Sequence, residues 1–292
     1  MKKALVLYSG GLDSRLVCKI LQEQVYVEAI IFILPFIKKE FFEKAIKFLE
    51  KEKIKFNIIN VTKGKLFKEY IEIIKNPKFN RGVALNPCID CHLFIFKKAK
   101  EFADKKNFDI IATGEVLGER PLSQTKKALE KIDKELGFEV LRPLSAKLLK
   151  ETSVEKNNIV DRNKFFAIYG RKRETQIELA KKFNISFPSP AGGCLLCEKE
   201  YCKKLSPLLK KKNITYNDIK LLSIGRHFFE SKIILGRNKE ENEILLKEKG
   251  MKIIPTKPGP TALLRDKKLI EEAKNLIKKY SKNKETDFKI IK

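Results

Sequence analysis

The segment Tyr8-Ser9-Gly10-Gly11-Leu12-Asp13-Ser14 follows the apolar run 4–7 and precedes the helix-like stretch 15–24, so it reads as a glycine turn between a buried strand and a helix. Two glycines let backbone amides approach an anion, Ser9 and Ser14 add hydroxyls, and the helix contributes the positive end of its dipole. The start of the chain is thereby committed to strand, phosphate cradle and helix, in that order. A Walker loop would end in Gly-Lys-Ser/Thr and a dinucleotide fingerprint would read Gly-x-Gly-x-x-Gly, and neither is present.

Strand and helix patterns then alternate. Short apolar or β-branched runs predict strands at 4–8, 27–34, 54–61, 109–113 and 139–141, and apolar periodicity predicts helices at 14–24, 39–53, 65–75, 91–105 and 123–136. The alternation implies an α/β fold with a doubly wound, mostly parallel sheet, whose ligand crevice lies beyond the C-terminal strand ends. Gly114, ending the fourth strand, is expected beside the glycine turn. After the Pro/Gly-rich passage 187–193 the pattern changes: a hairpin at 227–235, a helix at 240–249, a strand at 251–254, Pro258-Gly259-Pro260, and a basic helix with a frayed tail over 267–284. We expect a larger domain over 1–200 and a smaller α+β domain over 201–292.

The 292 residues carry a formal net charge of +26, spread along the chain, which favours a polyanionic partner. The competing explanation is lysine as filler in a heat-adapted or AT-rich organism. No apolar stretch is long enough to span a membrane, and Met1-Lys2-Lys3 leads straight into a strand, so a cytoplasmic protein with no membrane partner is expected.

Six cysteines in a cytoplasmic chain are not read as disulfides. Cys18 has core-like neighbours in Leu16, Val17 and Ile20. Cys88 and Cys91 form Asn-Pro-Cys-x-x-Cys; Cys194 and Cys197 form Gly-Cys-Leu-Leu-Cys, with Cys202 further on. Both pairs are expected in Pro- or Gly-bearing loops. Two Cys-x-x-Cys pairs signal a metal site, but their separation far exceeds that of a zinc ribbon, so the fold would have to bring them together. Zinc, a redox disulfide and an iron-sulfur cluster all remain open. His92 reads equally as ligand, base or helix-opening surface residue. Arg226-His227-Phe228-Phe229 reads as a basic and aromatic patch or as half-buried strand aromatics.

Residues 9–14 resemble the Ser-Gly-Gly-x-Asp-Ser signature of the PP-loop ATP pyrophosphatases, whose fold is that of the adenine nucleotide alpha hydrolases. Together with Asn86-Pro87-Cys88-x-x-Cys91, the stretches 113–124 and 141–149, and Gly193-Cys194, the resemblance over 1–200 extends to the tRNA thiolases, including 2-thiouridylases and 4-thiouridine synthases. The second domain resembles the NFACT-R type of RNA-binding domain at 224–228, 235–238 with Glu241 and Asn242, and 258–260.

The resemblance implies an ATP-dependent enzyme that adenylates a uridine carbonyl oxygen of tRNA and replaces it with sulfur. It implies ATP with Mg²⁺ on Ser9, Gly10, Gly11, Asp13 and Ser14, lined by Gly114 and Arg120, with Lys147 as a further cation. Cys88, Cys91 and Cys194 would hold a 4Fe-4S cluster, Cys197 being an unexpected fourth thiol; Zn²⁺ is the alternative. In cluster-free relatives the cysteines matching Cys91 and Cys194 act as nucleophile and persulfide carrier, so Asp13, Cys91 and Cys194 are the catalytic candidates. Arg226, His227, Arg237 and Asn238 would face RNA. The partners would be tRNA and a donor of sulfide or persulfide, and a homodimer is left open. The other reading is an RNA-binding PP-loop ATPase or amidating enzyme with structural zinc and no thiolation.

Overall fold

The computed structural model describes residues 1–37, 40–82, 84–187 and 193–291, and side chains at 40–42 and 44 fall outside that description. The chain divides into two compact units, Met1–Cys197 and Glu198–Lys292. Lys39, the expected start of the second helix, and residues 188–192 of the Pro/Gly-rich passage lie outside the described residues.

Unit one runs β1 (Lys3–Leu7), α1 (Leu12–Gln22), β2 (Tyr26–Ile33), α2 (Glu40–Lys51), β3 (Lys55–Asn60), α3 (Gly64–Lys75), α4 (Cys88–Lys105), β4 (Ile110–Thr113), α5 (Lys126–Leu136), α6 (Ser153–Lys156) and α7 (Glu174–Lys182). Its four strands are all parallel in the order β3-β2-β1-β4. Alternate residues of β1 supply the two faces: Ala4 and Val6 pack with Leu16 and Val17 of α1 and Phe48 of α2, while Leu5 and Leu7 pack with Leu93 and Phe96 of α4 and Ile132 of α5. Helices therefore cover both faces. The chain reverses its winding between β1 and β4, which makes the C-terminal ends of those two strands the topological switch point.

Three expectations are corrected. The strand expected at 139–141 shrinks to one parallel bridge, Ala112 to Leu141, because Pro143 has no N–H to continue a ladder and Arg142 turns its side chain to Glu115. The helix expected from Cys91 begins at Cys88, immediately after Pro87, whose carbonyl accepts from the Cys91 N–H at 2.9 Å. Hence the first cysteine pair occupies a helical turn rather than a loop, and its i, i+3 spacing puts both thiols on one face.

The third correction concerns unit two, which comprises α8 (Lys199–Leu209), α9 (Tyr216–Leu221), β5 (Arg226–Phe228), β6 (Ile233–Leu235), α10 (Lys239–Lys247), β7 (Met251–Pro255), β8 (Ala262–Leu264), α11 (Ile270–Tyr280) and β9 (Phe288–Ile291). Its antiparallel sheet has the order β5-β6-β8-β7-β9 and carries α11 on one face through Ala273 and Ile277. Beyond the tail expected to fray by 284, Phe288–Ile291 forms a strand that was not expected, β9, which satisfies the free edge of β7 with the register Lys252 to Ile291 through Pro255 to Phe288. No helix among the described residues is long and apolar enough to cross a membrane.

Candidate active site

Beyond Leu7 the chain turns through Gly10 at φ 80°, a left-handed conformation that suits glycine, and enters α1 with Gly11 at its N-cap. No side chain caps this helix, so its first-turn N–H groups are open to an anion. The loop is held from within: Ser14 Oγ donates to the Gly11 carbonyl at 3.0 Å, the Gly11 N–H donates to Ser9 Oγ at 3.4 Å, and Arg15 Nε donates to the Gly10 carbonyl at 2.9 Å. Arg15 is buried and its guanidinium lies 4.7 Å from the Phe48 ring centroid. Gly114 closes the other side. A Cβ there would stand 2.7 Å from the backbone of Asp13 and Ser14, so only glycine lets β4 approach the loop this closely.

Asp13, on the first turn of α1, has its carboxyl pushed up by burial, against the pull of Arg173, whose Nη2 lies 3.7 Å from Oδ2, and of Arg120. Arg173 stands at the N-cap of α7. In the sequence it belongs to the basic run 171–173, which reads as an ordinary solvated face; no local signal marks it. Arg120 is exposed, and its charge pulls down the Asp13 and Glu119 carboxyls and the Cys88 thiol, which burial nevertheless pushes up. Lys147 instead donates to the Asn163 carbonyl at 3.0 Å.

The four loop and helix cysteines converge. Cys194 forms an antiparallel bridge with Ile37, the Leu195 N–H donates to the Phe36 carbonyl at 2.9 Å, and a short turn carries the chain to Cys197. The Asn86 side-chain amide then lies 3.9 Å from Cys88 Sγ and 3.7 Å from Cys197 Sγ, so one buried donor spans both pairs. Burial pushes the Cys194 thiol up, and the neighbouring Cys91, Cys197 and Cys88 push the same way. Burial likewise takes Cys91 up to about 12, although a 3.1 Å hydrogen bond with the Tyr70 hydroxyl favours its thiolate. Tyr70, a buried residue of α3, was not singled out by the sequence. Cys18 is buried in the core, Cys202 is buried on α8, and no disulfide joins any of the six described cysteines.

Among the described residues no three His, Cys, Asp or Glu side chains stand close enough to hold a metal ion, so the thiols are gathered without being preset. Their chemistry nevertheless fits a thiophilic cation: soft donors, three of them (Cys88, Cys91 and Cys194) half-buried, whose ionised forms cost free energy until a positive centre is bound.

A buried charge network backs this face. Glu115, just past β4, accepts from Arg142 Nε at 2.8 Å and meets His92 Nδ1 at 2.8 Å, while Arg142 also donates to Asp133 at 2.7 and 3.0 Å. Burial works to raise the Glu115 carboxyl, but Arg142 and His92 outweigh it and hold it below the usual range. His92 is therefore tied to β4 rather than left as surface.

In unit two, Arg226 is exposed with its guanidinium 4.8 Å from the Tyr280 ring centroid. His227 is half-buried between Ser231 Oγ and the Ile224 carbonyl, both at 2.9 Å, and burial with the nearby Lys204 lowers its pKa to about 4, leaving a neutral ring at pH 7. Arg237 is paired with Glu241, and Asn238 caps α10 by accepting from the Glu241 N–H at 2.9 Å.

A family model described as thiamine biosynthesis protein (ThiI) matches residues 1–179, a span that stops short of Cys194 and Cys197. No curated protein matches the chain. Among solved structures, a predicted subunit of tRNA methyltransferase from Methanocaldococcus jannaschii is 17% identical with a TM-score of 0.38, covering 62% of this chain and 76% of its own. The NH3-dependent NAD synthetase from Campylobacter jejuni is 16% identical with a TM-score of 0.37, covering 76% of this chain and 77% of its own.

Proposed function

The chain belongs to the ThiI family of ATP-using PP-loop proteins, and from that premise we propose that it is a tRNA sulfurtransferase that forms thiouridine. Ser9, Gly10, Gly11, Asp13, Ser14 and Gly114 hold the phosphates of ATP with Mg²⁺. The uridine carbonyl oxygen attacks the α-phosphorus, the bond to the β-phosphate oxygen breaks, and pyrophosphate leaves into a site stabilised by loop amides and Arg120. A sulfur nucleophile then adds to the activated ring carbon, and AMP departs with the former carbonyl oxygen.

Cys88, Cys91 and Cys194 are assigned as ligands of a 4Fe-4S cluster, which when bound would offer an iron with an open position for sulfide. Tyr70 orients the Cys91 thiol and Asn86 that of Cys88. Without a cluster, Cys91 and Cys194 would serve as nucleophile and persulfide carrier. Unit two is assigned as an NFACT-R-like RNA-binding module, with exposed Arg226 beside Tyr280 as one of its RNA-facing cations.

The observation that carries this reading is a chain of contacts: Gly114 abuts the backbone of Asp13 and Ser14, and the adjacent Glu115 meets His92, the neighbour of Cys91, at 2.8 Å, so activation of an oxygen and delivery of sulfur can share one crevice. Nucleoside mass spectrometry of tRNA from a strain lacking the protein tests it. One thiolated nucleoside should vanish and return on complementation; an unchanged profile would overturn it. A second reading, an RNA-binding ATPase with structural zinc, draws on Cys197, which shares the Asn86 amide with Cys88 and would bring the thiols to the four that tetrahedral zinc takes. Anaerobic purification separates the two: iron with acid-labile sulfide supports the first, zinc alone the second.

A further inference from the structure

Four buried side-chain atoms around the phosphate loop are left without hydrogen-bond partners among the described residues: Oδ1 of half-buried Asp13, Nε of half-buried Arg173, and both Nε2 and Oε1 of Gln176. Gln176 is fully buried, with no exposed surface at all. Buried polar atoms are ordinarily paired, so a cluster of orphans beside an anion-binding loop marks a place where a polar ligand belongs. The local geometry favours the same point. Helix α7 packs against α1, Arg173 stands at its N-cap and Gln176 three residues on, and this spacing puts both side chains on one face of a helix N-terminus. The Gln176 amide influences Asp13 without closing a hydrogen bond, and the Asp13 to Arg173 contact is long, at 3.7 Å.

We propose that Arg173 and Gln176 form a second wall of the nucleotide site, clamping the polyphosphate of ATP from the side opposite the glycine turn. Arg173 exchanges Asp13 for phosphate oxygens, its Nε–H turns to Gln176 Oε1, and Gln176 Nε2 donates to the polyphosphate. Every orphan then has a partner, and Asp13 is released toward the cation that accompanies ATP. The inference rests on the reading of Ser9 to Ser14 as an ATP site.

Equilibrium binding of Mg·ATP and of AMP to the full-length protein, with thermal unfolding of each variant, tests it. Arg173→Met should weaken Mg·ATP at least about tenfold, the loss expected for a charged hydrogen-bonding partner. AMP, which lacks the polyphosphate, should bind within about threefold of the wild type by the same reckoning. Arg173→Lys keeps the ion pair with Asp13, and with it the fold, but should still weaken Mg·ATP because an ammonium cannot offer the forked donors. Gln176→Met removes two orphaned atoms and should raise the unfolding midpoint while weakening Mg·ATP. Variants that bind Mg·ATP as the wild type does, or that lose AMP and Mg·ATP equally, would overturn the clamp. Wild-type protein that fails to bind Mg·ATP would sink the ATP reading beneath it as well.

Discussion

His92 Nδ1 meets Glu115 Oε1 at 2.8 Å, fastening the first turn of α4, which carries Cys88 and Cys91, to the end of β4, which carries the approach to the phosphate loop. Glu115 tolerates burial because Arg142, with His92 beside it, offsets its charge. Arg142→Met should therefore leave a buried carboxylate without its strongest partner and cost about 3 to 5 kcal/mol of stability. Urea unfolding checks this, and adding Glu115→Leu should restore a large part of the loss; a double variant as unstable as the single would refute the account.

Gly114→Ala should disable the loop. The new Cβ meets the backbone of Asp13 and Ser14 at 2.7 Å, contacts that neither strand nor helix can relieve by a side-chain rotation. We expect a loss of about 1 to 3 kcal/mol of stability from overpacking, accompanied by at least about tenfold weaker Mg·ATP binding as the N-terminal amides of α1 are displaced. Calorimetric titration reads the second effect directly.

Thiol reactivity should rank by burial. In metal-free, reduced protein at pH 8, Cys197 is exposed and should alkylate first, whereas Cys91, pushed up to about 12, and Cys194, raised for the same reason, should lag by more than about tenfold. Tyr70→Phe removes the hydrogen bond that favours the Cys91 thiolate and should slow Cys91 further, as resolved by peptide mass spectrometry over a pH series. Equal rates at all four sites would contradict the burial described here.

Unit two should be acid-labile through His227. Its folded pKa of about 4 lies below the ordinary 6.5, so between those values the unfolded chain binds more protons than the folded one. Stability is therefore complete above pH 6.5 and is lost as pH falls toward 4, by about 2 kcal/mol once partial exposure is discounted. The groups acting on the ring, Lys204 and Arg265, are cationic and add to the effect. Hydrogen exchange of the β5 and β6 amides should quicken over this window, and His227→Gln should flatten the dependence.

The phosphate loop was legible in the sequence because every determinant of it is local: an apolar strand, two glycines, and a helix start within a few residues. The alternating elements of unit one followed from the same short-range periodicity, and the paired cysteines announced thiol chemistry wherever the fold might place them. What the sequence left open is set by contacts between residues far apart in the chain. Arg173 looked like one member of a solvated basic run until α7 was seen against α1, with its guanidinium at Asp13. Glu115, His92 and Arg142 lie on three separate segments and have no spacing rule in common. Leu141 carried a strand-like pattern but a proline and a buried ion pair stopped the ladder after one bridge, while the tail at 288–291, too short to announce itself, became a strand because β7 had an edge to satisfy. Local propensity decides which elements form; the crossover order of the sheet decides which of their side chains meet, and that order places the phosphate loop and Gly114 at one end of β1 and β4.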